Sequence, residues 1–271
     1  MNKLRLAVIG GGHLGTVHTK LAHELDEFAV IAVAEPNPAA QRAIAAQIPV
    51  ATVNNHRELI GQIDAAVVAT PSSLHHQVTI DLLEAGIHCL VEKPITVTVS
   101  EANDLVDLAD RKGLVLQVGH VERFNPAFAA AMAHTVEPVF VEANRCFLHS
   151  LRSMDIGVVH DLMIHDIDLV LHMVGASLHR VEGVGGTIIG PKEDMAQAWL
   201  TFTNGVVANL KASRVSTDSC RSMTIYCRDR VIAIDFNLSQ VVVTRHSERF
   251  NGEGLDVAGL NFESRRDLQQ Q

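Results

Sequence analysis

Three glycines near the amino terminus constrain the fold of this 271-residue chain more than any other feature. An apolar run, Leu4–Ile9, leads directly into Gly10-Gly11-Gly12-His13-Leu14-Gly15, and a segment of helical length follows. Glycine permits a tight turn at Gly10, a close approach of backbone to a pyrophosphate at Gly12, and close packing of helix on strand at Gly15. The first turn, with His13 and Leu14, would present free N–H groups to an anion. An ordinary glycine-rich turn is the alternative, and the flanking strand and helix favour a dinucleotide site.

The first 120 residues alternate short apolar runs with segments of helical length, which is the pattern of parallel βαβ units. Near-continuous apolarity indicates strands buried on both faces of a sheet. The predicted strands are Leu4–Ile9, Val30–Ala34, Ala65–Ala69, His88–Val91 and Leu114–Val118. The predicted helices are Leu14–Leu25, Pro38–Gln47, Leu74–Ala85 and Ser100–Arg111, with Pro38 early in its helix and Ser100 as an N-cap. We therefore expect an α/β fold with an N-terminal Rossmann domain over residues 1–120.

The pattern changes after residue 120, where one helical stretch, Val158–Val174, precedes a series of strands with turn residues between them. Thr203-Asn204-Gly205 and Arg228-Asp229 are typical of hairpin turns, so a largely antiparallel sheet is expected. The predicted strands are Arg180–Gly185, Met195–Phe202, Val206–Ser213, Ser222–Cys227, Val231–Asp235 and Gln240–Arg245. An open sheet with an apolar face needs a cover of helix or of another subunit. Residues 121–271 are thus expected to form a second α/β domain for substrate binding and oligomerisation.

Composition narrows the classes of function. Hydrophobic residues make up 47% of the chain and the net charge is −9, which argues against disorder and against a nucleic-acid surface. The sequence lacks an apolar run long enough to span a bilayer, and a cytoplasmic protein without a signal peptide is expected. The four cysteines form no CxxC pair, which favours reduced thiols over a disulfide framework or a zinc ribbon.

Glu35 follows the second predicted strand at the position where a Rossmann fingerprint carries its acidic residue. A carboxylate there would accept hydrogen bonds from the adenosine ribose hydroxyls and repel a 2′-phosphate. NAD is therefore expected in preference to NADP, although Arg42 leaves open a contact with a phosphate. A solvated glutamate at a strand end is the alternative.

Further polar groups follow later strands, at the carboxyl edge where open α/β sheets bind ligands. Thr70-Pro71-Ser72 and His75 are predicted to cap the next helix or to contact the cofactor. Glu92-Lys93-Pro94 follows another strand, and Glu92 and Lys93 are expected to contact the cofactor there. Lys93 could also donate to a substrate oxygen and stabilise developing negative charge. Taken alone, such a lysine is more often solvated.

Asp161 and His165 lie four residues apart at the start of the long helical stretch, so a helix would place them on one face. His165 suits a general base, with Asp161 orienting the imidazole or the substrate. A polar helix entry is one alternative. Metal binding by His160, Asp161 and His165 is another, but the two histidines lack the spacing of HExxH, and no metal is expected.

Together these motifs resemble the Gfo/Idh/MocA family, the glucose-fructose oxidoreductase and inositol dehydrogenase group. The matching features are the glycine fingerprint, the Thr70-Pro71 turn, Glu92-Lys93-Pro94 and Asp161-x-x-x-His165. The resemblance implies catalytic roles for Lys93, Asp161 and His165, and a C-terminal sheet that mediates homodimers or homotetramers. Within the family, Gly119–Pro126 looks like a segment of nucleotide-sugar dehydrogenases, in which Arg123 could neutralise a diphosphate or brace the domain junction.

The resulting hypothesis is an NAD-dependent dehydrogenase of a secondary hydroxyl on a sugar, cyclitol or nucleotide sugar. Lys93 would bind the reacting oxygen, His165 would accept its proton, and Asp161 would orient substrate or His165. Two alternatives stay open: an imine or enone reductase of the same fold, and a regulatory protein that binds NAD without catalysis.

Overall fold

The computed structural model describes residues 3–148 and 156–246, together with the backbone of 269–270. The chain divides into two compact units, Met1–His120 and Val121–Gln271. Among the described helices none has the length and apolarity needed to cross a bilayer.

The first unit is built on a six-stranded sheet whose strands all run parallel. Its order, β3-β2-β1-β4-β5-β6, is that of a doubly wound dinucleotide-binding fold. The strands are β1 (Leu4–Ile9), β2 (Phe28–Ala34), β3 (Ala51–Val53), β4 (Ala65–Val68), β5 (His88–Val91) and β6 (Leu116–Val118). The predicted Rossmann fold is confirmed, and the carboxyl ends of β1, β2, β4 and β5 lie along one edge.

Four helices cover the two faces of this sheet, and side-chain caps fix the starts of α2 and α4. Pro38 is the first helical residue after the N-cap Asn37, whose side chain accepts from the Ala39 N–H at 2.9 Å. The predicted N-cap Ser100 is wrong: Thr98 caps that helix and forms a capping box with Glu101. The helices are α1 (His13–Glu24), α2 (Pro38–Ala45), α3 (Ser72–Glu84) and α4 (Val99–Lys112).

The second unit contains an eight-stranded sheet that is antiparallel except where β10 runs parallel to β7. Its order is β14-β13-β12-β11-β7-β10-β9-β8. The strands are β7 (Pro138–Leu148), β8 (Leu178–Gly186), β9 (Met195–Phe202), β10 (Val207–Ser216), β11 (Cys220–Cys227), β12 (Arg230–Asp235), β13 (Gln240–His246) and β14 (Gln269–Gln270). The predicted mostly antiparallel domain is confirmed, including the hairpin turn at Gly205, which has a φ of 87°.

Two helices, α5 (Pro126–Met132) and α6 (Ile164–Val174), pack on one face of this sheet. Phe128, Leu169 and Val170 are buried there against strand residues such as Leu210 and Met223. The prediction of one helix over Val158–Val174 is partly wrong, because Val159–Met163 forms a π-helical turn before α6 begins. Such turns are rare and concentrate at functional sites.

Candidate functional site

The glycine loop adopts the geometry of a dinucleotide turn. Gly10 has a φ of 103°, and a Cβ placed on it would lie 2.5 Å from the carbonyl oxygen of Ala69 at the end of β4. A Cβ on Gly15 would lie 1.9 Å from the Gly10 carbonyl oxygen. Side chains are thus excluded at both positions by conformation and by close approach.

Gly12 stands in open space, and it is the N-cap of α1. Among the described residues, no side chain caps this helix and no acidic residue occupies its first turn. The N–H groups of His13 and Leu14, at the electropositive end of the helix, are therefore available to bind an anion. An uncapped helix start beside a Cβ-free surface fits a pyrophosphate.

Glu35 lies at the carboxyl end of β2 and reaches back to the glycine loop. Its carboxylate accepts from the Gly11 N–H at 2.7 Å and from the Asn37 N–H at 2.8 Å. Two backbone donors fix the orientation of the carboxylate, and each oxygen retains acceptor capacity. The arrangement suits a preorganised acceptor for ribose hydroxyls.

The turn after β4 contains one orphaned group. The hydroxyl of Thr70 is buried, and no hydrogen-bond partner for it exists among the described residues. A buried hydroxyl without a partner costs free energy unless a ligand or water supplies one. Pro71 and Ser72 follow at the start of α3, where Pro71 is the N-cap.

His75, predicted to contact the cofactor, makes two contacts with backbone carbonyl groups in the structure. Its ring is 1% exposed, with Nδ1 2.8 Å from the Pro94 carbonyl oxygen and Nε2 2.9 Å from the Thr70 carbonyl oxygen. Both ring nitrogens are thus engaged by backbone. His75 thus connects the Thr70 turn to the loop that carries Lys93.

Glu92 is also buried, and its partner His18 was missed by the sequence analysis. His18 Nε2 on α1 lies 2.6 Å from Glu92 Oε1, while the other carboxylate oxygen accepts from the Lys93 N–H at 3.3 Å. Glu92 therefore supports the Lys93 backbone and connects it to the helix that begins at the glycine loop. The sequence signal for His18 was its position in α1 three residues after Gly15 and four before Ala22, both of which are buried.

Asp161 and His165 lie in the second unit, with Asp161 inside the π-helical turn and His165 in the first turn of α6. The start of this segment is fixed by Glu193, whose Oε1 lies 3.4 Å from the Val159 nitrogen. A Cβ on Gly157 would lie 1.8 Å from the same oxygen. No cluster of three or more potential metal ligands occurs among the described residues.

Arg123 is engaged within the second unit. Its Nε donates to Asp168 Oδ2 at 2.7 Å and its Nη2 donates to Oδ1 at 2.5 Å. This bidentate pair joins the 3₁₀ turn Val121–Phe124 to α6. Arg123 therefore has a carboxylate partner of its own and joins two elements of the second unit.

A Rossmann unit joined to a helix-covered and mostly antiparallel sheet defines the class as a two-domain dinucleotide-binding protein. Residues 4–120 match a protein-family model described as "Oxidoreductase family, NAD-binding Rossmann fold". Residues 144–233 match the "GFO/IDH/MocA C-terminal domain". The chain belongs to the Gfo/Idh/MocA oxidoreductase family.

Named dehydrogenases are among its relatives. A UDP-N-acetylglucosamine 3-dehydrogenase from Acidithiobacillus ferrooxidans is 39% identical over 237 residues, covering 87% of this chain and 75% of the relative. A crystallised form of the enzyme from that organism superposes with a TM-score of 0.84 at 37% identity, over 90% of this chain and 80% of that one. The NAD(+)-dependent scyllo-inositol 2-dehydrogenase of Bacillus subtilis is 26% identical, over 79% of this chain and 68% of the relative.

Proposed function

We propose that this protein is an NAD-dependent dehydrogenase of a secondary sugar hydroxyl, with UDP-N-acetylglucosamine as the first candidate substrate. The observation that carries the substrate class is the 39% identity to a UDP-N-acetylglucosamine 3-dehydrogenase over most of both chains. The observation that supports the cofactor is the uncapped α1 terminus beside Gly12.

The residues of the first unit fit a dinucleotide. The N–H groups of His13 and Leu14 would hold the pyrophosphate, Glu35 would accept from the adenosine ribose, and the Thr70 hydroxyl would gain a partner. When bound, NAD supplies the acceptor for a hydride. We assign cofactor binding to the first unit, and substrate binding and assembly to the second.

Three side chains would carry out the reaction on the substrate. Lys93 would donate a hydrogen bond to the reacting oxygen and stabilise its negative charge. The neutral imidazole of His165 would accept the hydroxyl proton while the carbon loses its hydride, which leaves a ketone. Asp161 would orient the substrate or the imidazole.

The test is a panel of UDP-sugars, free sugars and inositols, each with NAD and NADP, followed at the NADH absorbance band. We expect turnover of UDP-N-acetylglucosamine with NAD. A Lys93→Met variant should bind NAD nearly as tightly as wild type while its turnover falls at least about 100-fold. Normal turnover in that variant, or a silent panel with intact NAD binding, would refute the assignment.

A second copy of the chain is the proposed partner of the C-terminal sheet. The helices cover one face of that sheet, and the opposite face exposes large apolar side chains, including Val184, Trp199, Tyr226 and Val242. Exposed apolar surface of this kind is typical of protein interfaces. We infer a homo-oligomer formed through this face.

A further inference from the structure

A buried ion pair joins the helix of His165 to the sheet beneath it. Arg145 on β7 donates from Nε to Asp166 Oδ2 at 3.0 Å and from Nη2 to Oδ1 at 2.8 Å. The side chains of Arg145 and Asp166 are 3% and 2% exposed. Asp166 directly follows His165, so the pair acts on the first turn of α6.

Stability alone does not account for such a pair. Removing two charges from water costs about as much as their attraction returns, and apolar side chains of similar volume are often equally stable or better. Apolar side chains lack the planar guanidinium fork, whose two parallel N–H donors fix both the distance and the direction of the partner carboxylate.

Arg145 is itself held in place by further contacts. Glu122 Oε1 lies 3.6 Å from its Nη1 and also pairs with Arg221, while the Phe236 ring centroid lies 5.8 Å from its guanidinium carbon. Burial lowers the pKa of Arg145, but the charges of Asp166 and Glu122 outweigh it and hold that pKa above its usual value. The fork is therefore charged and rigid.

A second fork acts on α6 from another direction. Arg123 binds Asp168, two residues after Asp166. At about 100° per residue, Asp166 lies about 100° to one side of His165 around the helix axis and Asp168 about 60° to the other. Forks on both sides of His165 restrain rotation of the helix, which matters because the preceding turn is π-helical.

We propose that Arg145 and Asp166 are positioning residues that set the rotation of α6 and thereby the direction of the His165 imidazole. The proposal rests on the function proposed above for its kinetic consequence. Its structural consequence, a defined environment for His165, can be measured without turnover.

The test is the double variant Arg145→Met/Asp166→Leu, which replaces the fork by apolar side chains of similar size. We expect a melting temperature at or near that of wild type, an unchanged Kd for NAD, and a kcat lowered about 100-fold, as for a misplaced group. NMR of histidine-labelled protein, with His165 assigned through His165→Asn, should show a changed resonance and titration midpoint for His165.

The matched control is Glu137→Gln/Arg228→Gln, which removes an exposed ion pair of the same unit, between the residue before β7 and the turn after β11, and should leave every readout unchanged. A folded Arg145→Met/Asp166→Leu protein with wild-type kcat and an unchanged His165 resonance would overturn the proposal. If that protein fails to fold, Arg145→Lys keeps the charge without the fork and should still show the lowered kcat. Failure of both to fold would make the pair a requirement of the fold and would also overturn it.

The two proposals fail in different ways. Wild-type protein that oxidises no substrate in the panel contradicts the proposed function, whereas the His165 resonance in the double variant still tests positioning. Wild-type turnover together with an unaltered double variant contradicts positioning alone.

Discussion

The contacts made by Glu35, His75 and His18 in the first unit indicate two different kinds of role. Glu35 offers acceptor capacity at the sheet edge, whereas His75 and His18 are engaged by backbone and by Glu92. Under the proposed function, Glu35 would contact the ligand itself, whereas His75 and His18 would act through the groups they contact.

Glu35→Gln removes the charge that we propose selects against a 2′-phosphate. We expect NAD affinity to fall about 10- to 100-fold, because hydrogen bonds to charged groups are worth about 1.5–3 kcal/mol. The preference for NAD over NADP should narrow at the same time. Isothermal titration with both cofactors measures this, with Glu24→Gln on exposed α1 as the control, and an unaltered preference would exclude Glu35 from ribose recognition.

His18→Ala should leave the buried Glu92 carboxylate without its imidazole partner. We expect a loss of about 1–3 kcal/mol in the free energy of unfolding and a lower kcat, because Glu92 supports the Lys93 backbone. Thermal melts and steady-state kinetics test this. His23→Ala, an exposed position on the same helix, is the control, and equal effects of both variants would rule out the Glu92 link.

Among the elements of the first unit, the glycine loop contains two glycines that we expect to be needed for different reasons. Gly15 is needed by the fold and Gly12 by the ligand. Gly15→Ala places a Cβ 1.9 Å from the Gly10 carbonyl oxygen, so we expect a melting temperature lower by several degrees. Gly12→Ala meets nothing within 4 Å and should melt like wild type while losing NAD affinity. Calorimetry and NAD titration distinguish the two, and a destabilised Gly12→Ala protein would contradict this division.

Elements with strong local patterns were predictable from sequence. The bounds of β1, β5 and β9 were predicted to the residue, because their largely apolar runs end there at glycine, glutamate and turn residues. The three-residue strand β3 was too short to give a pattern. Strand β7 was missed because Glu142, Asn144 and Arg145 interrupt its apolar run. Arg145 is buried, so even a buried position of this strand carries a charge.

The candidate site was partly predictable for a related reason. Gly10, Gly12, Gly15 and Glu35 are adjacent to strands in the sequence, so their shared edge follows from parallel strands alone. His75, Arg123 and Glu92 each contact a residue that lies 19 to 74 positions away in the chain. Local sequence patterns do not encode such tertiary contacts. The π-helical turn before His165 likewise left no periodic signal.

At the scale of the whole molecule, the open face of the C-terminal sheet predicts assembly. Trp199→Glu should shift the mass measured by light scattering from a multiple of 29.4 kDa towards the single chain. Val99→Glu, at an exposed site on α4, should leave the mass unchanged. A wild-type protein that is monomeric at micromolar concentration would contradict the proposed interface.

The proposed reaction moves a hydride from a sugar carbon to NAD. The direct measurement uses UDP-N-acetylglucosamine deuterated at C3, with mass spectrometry of the nicotinamide product. We predict one deuterium on the reduced nicotinamide, together with slower turnover than for the undeuterated substrate. Reduced nicotinamide without deuterium, or deuterium retained on the sugar, would contradict the account.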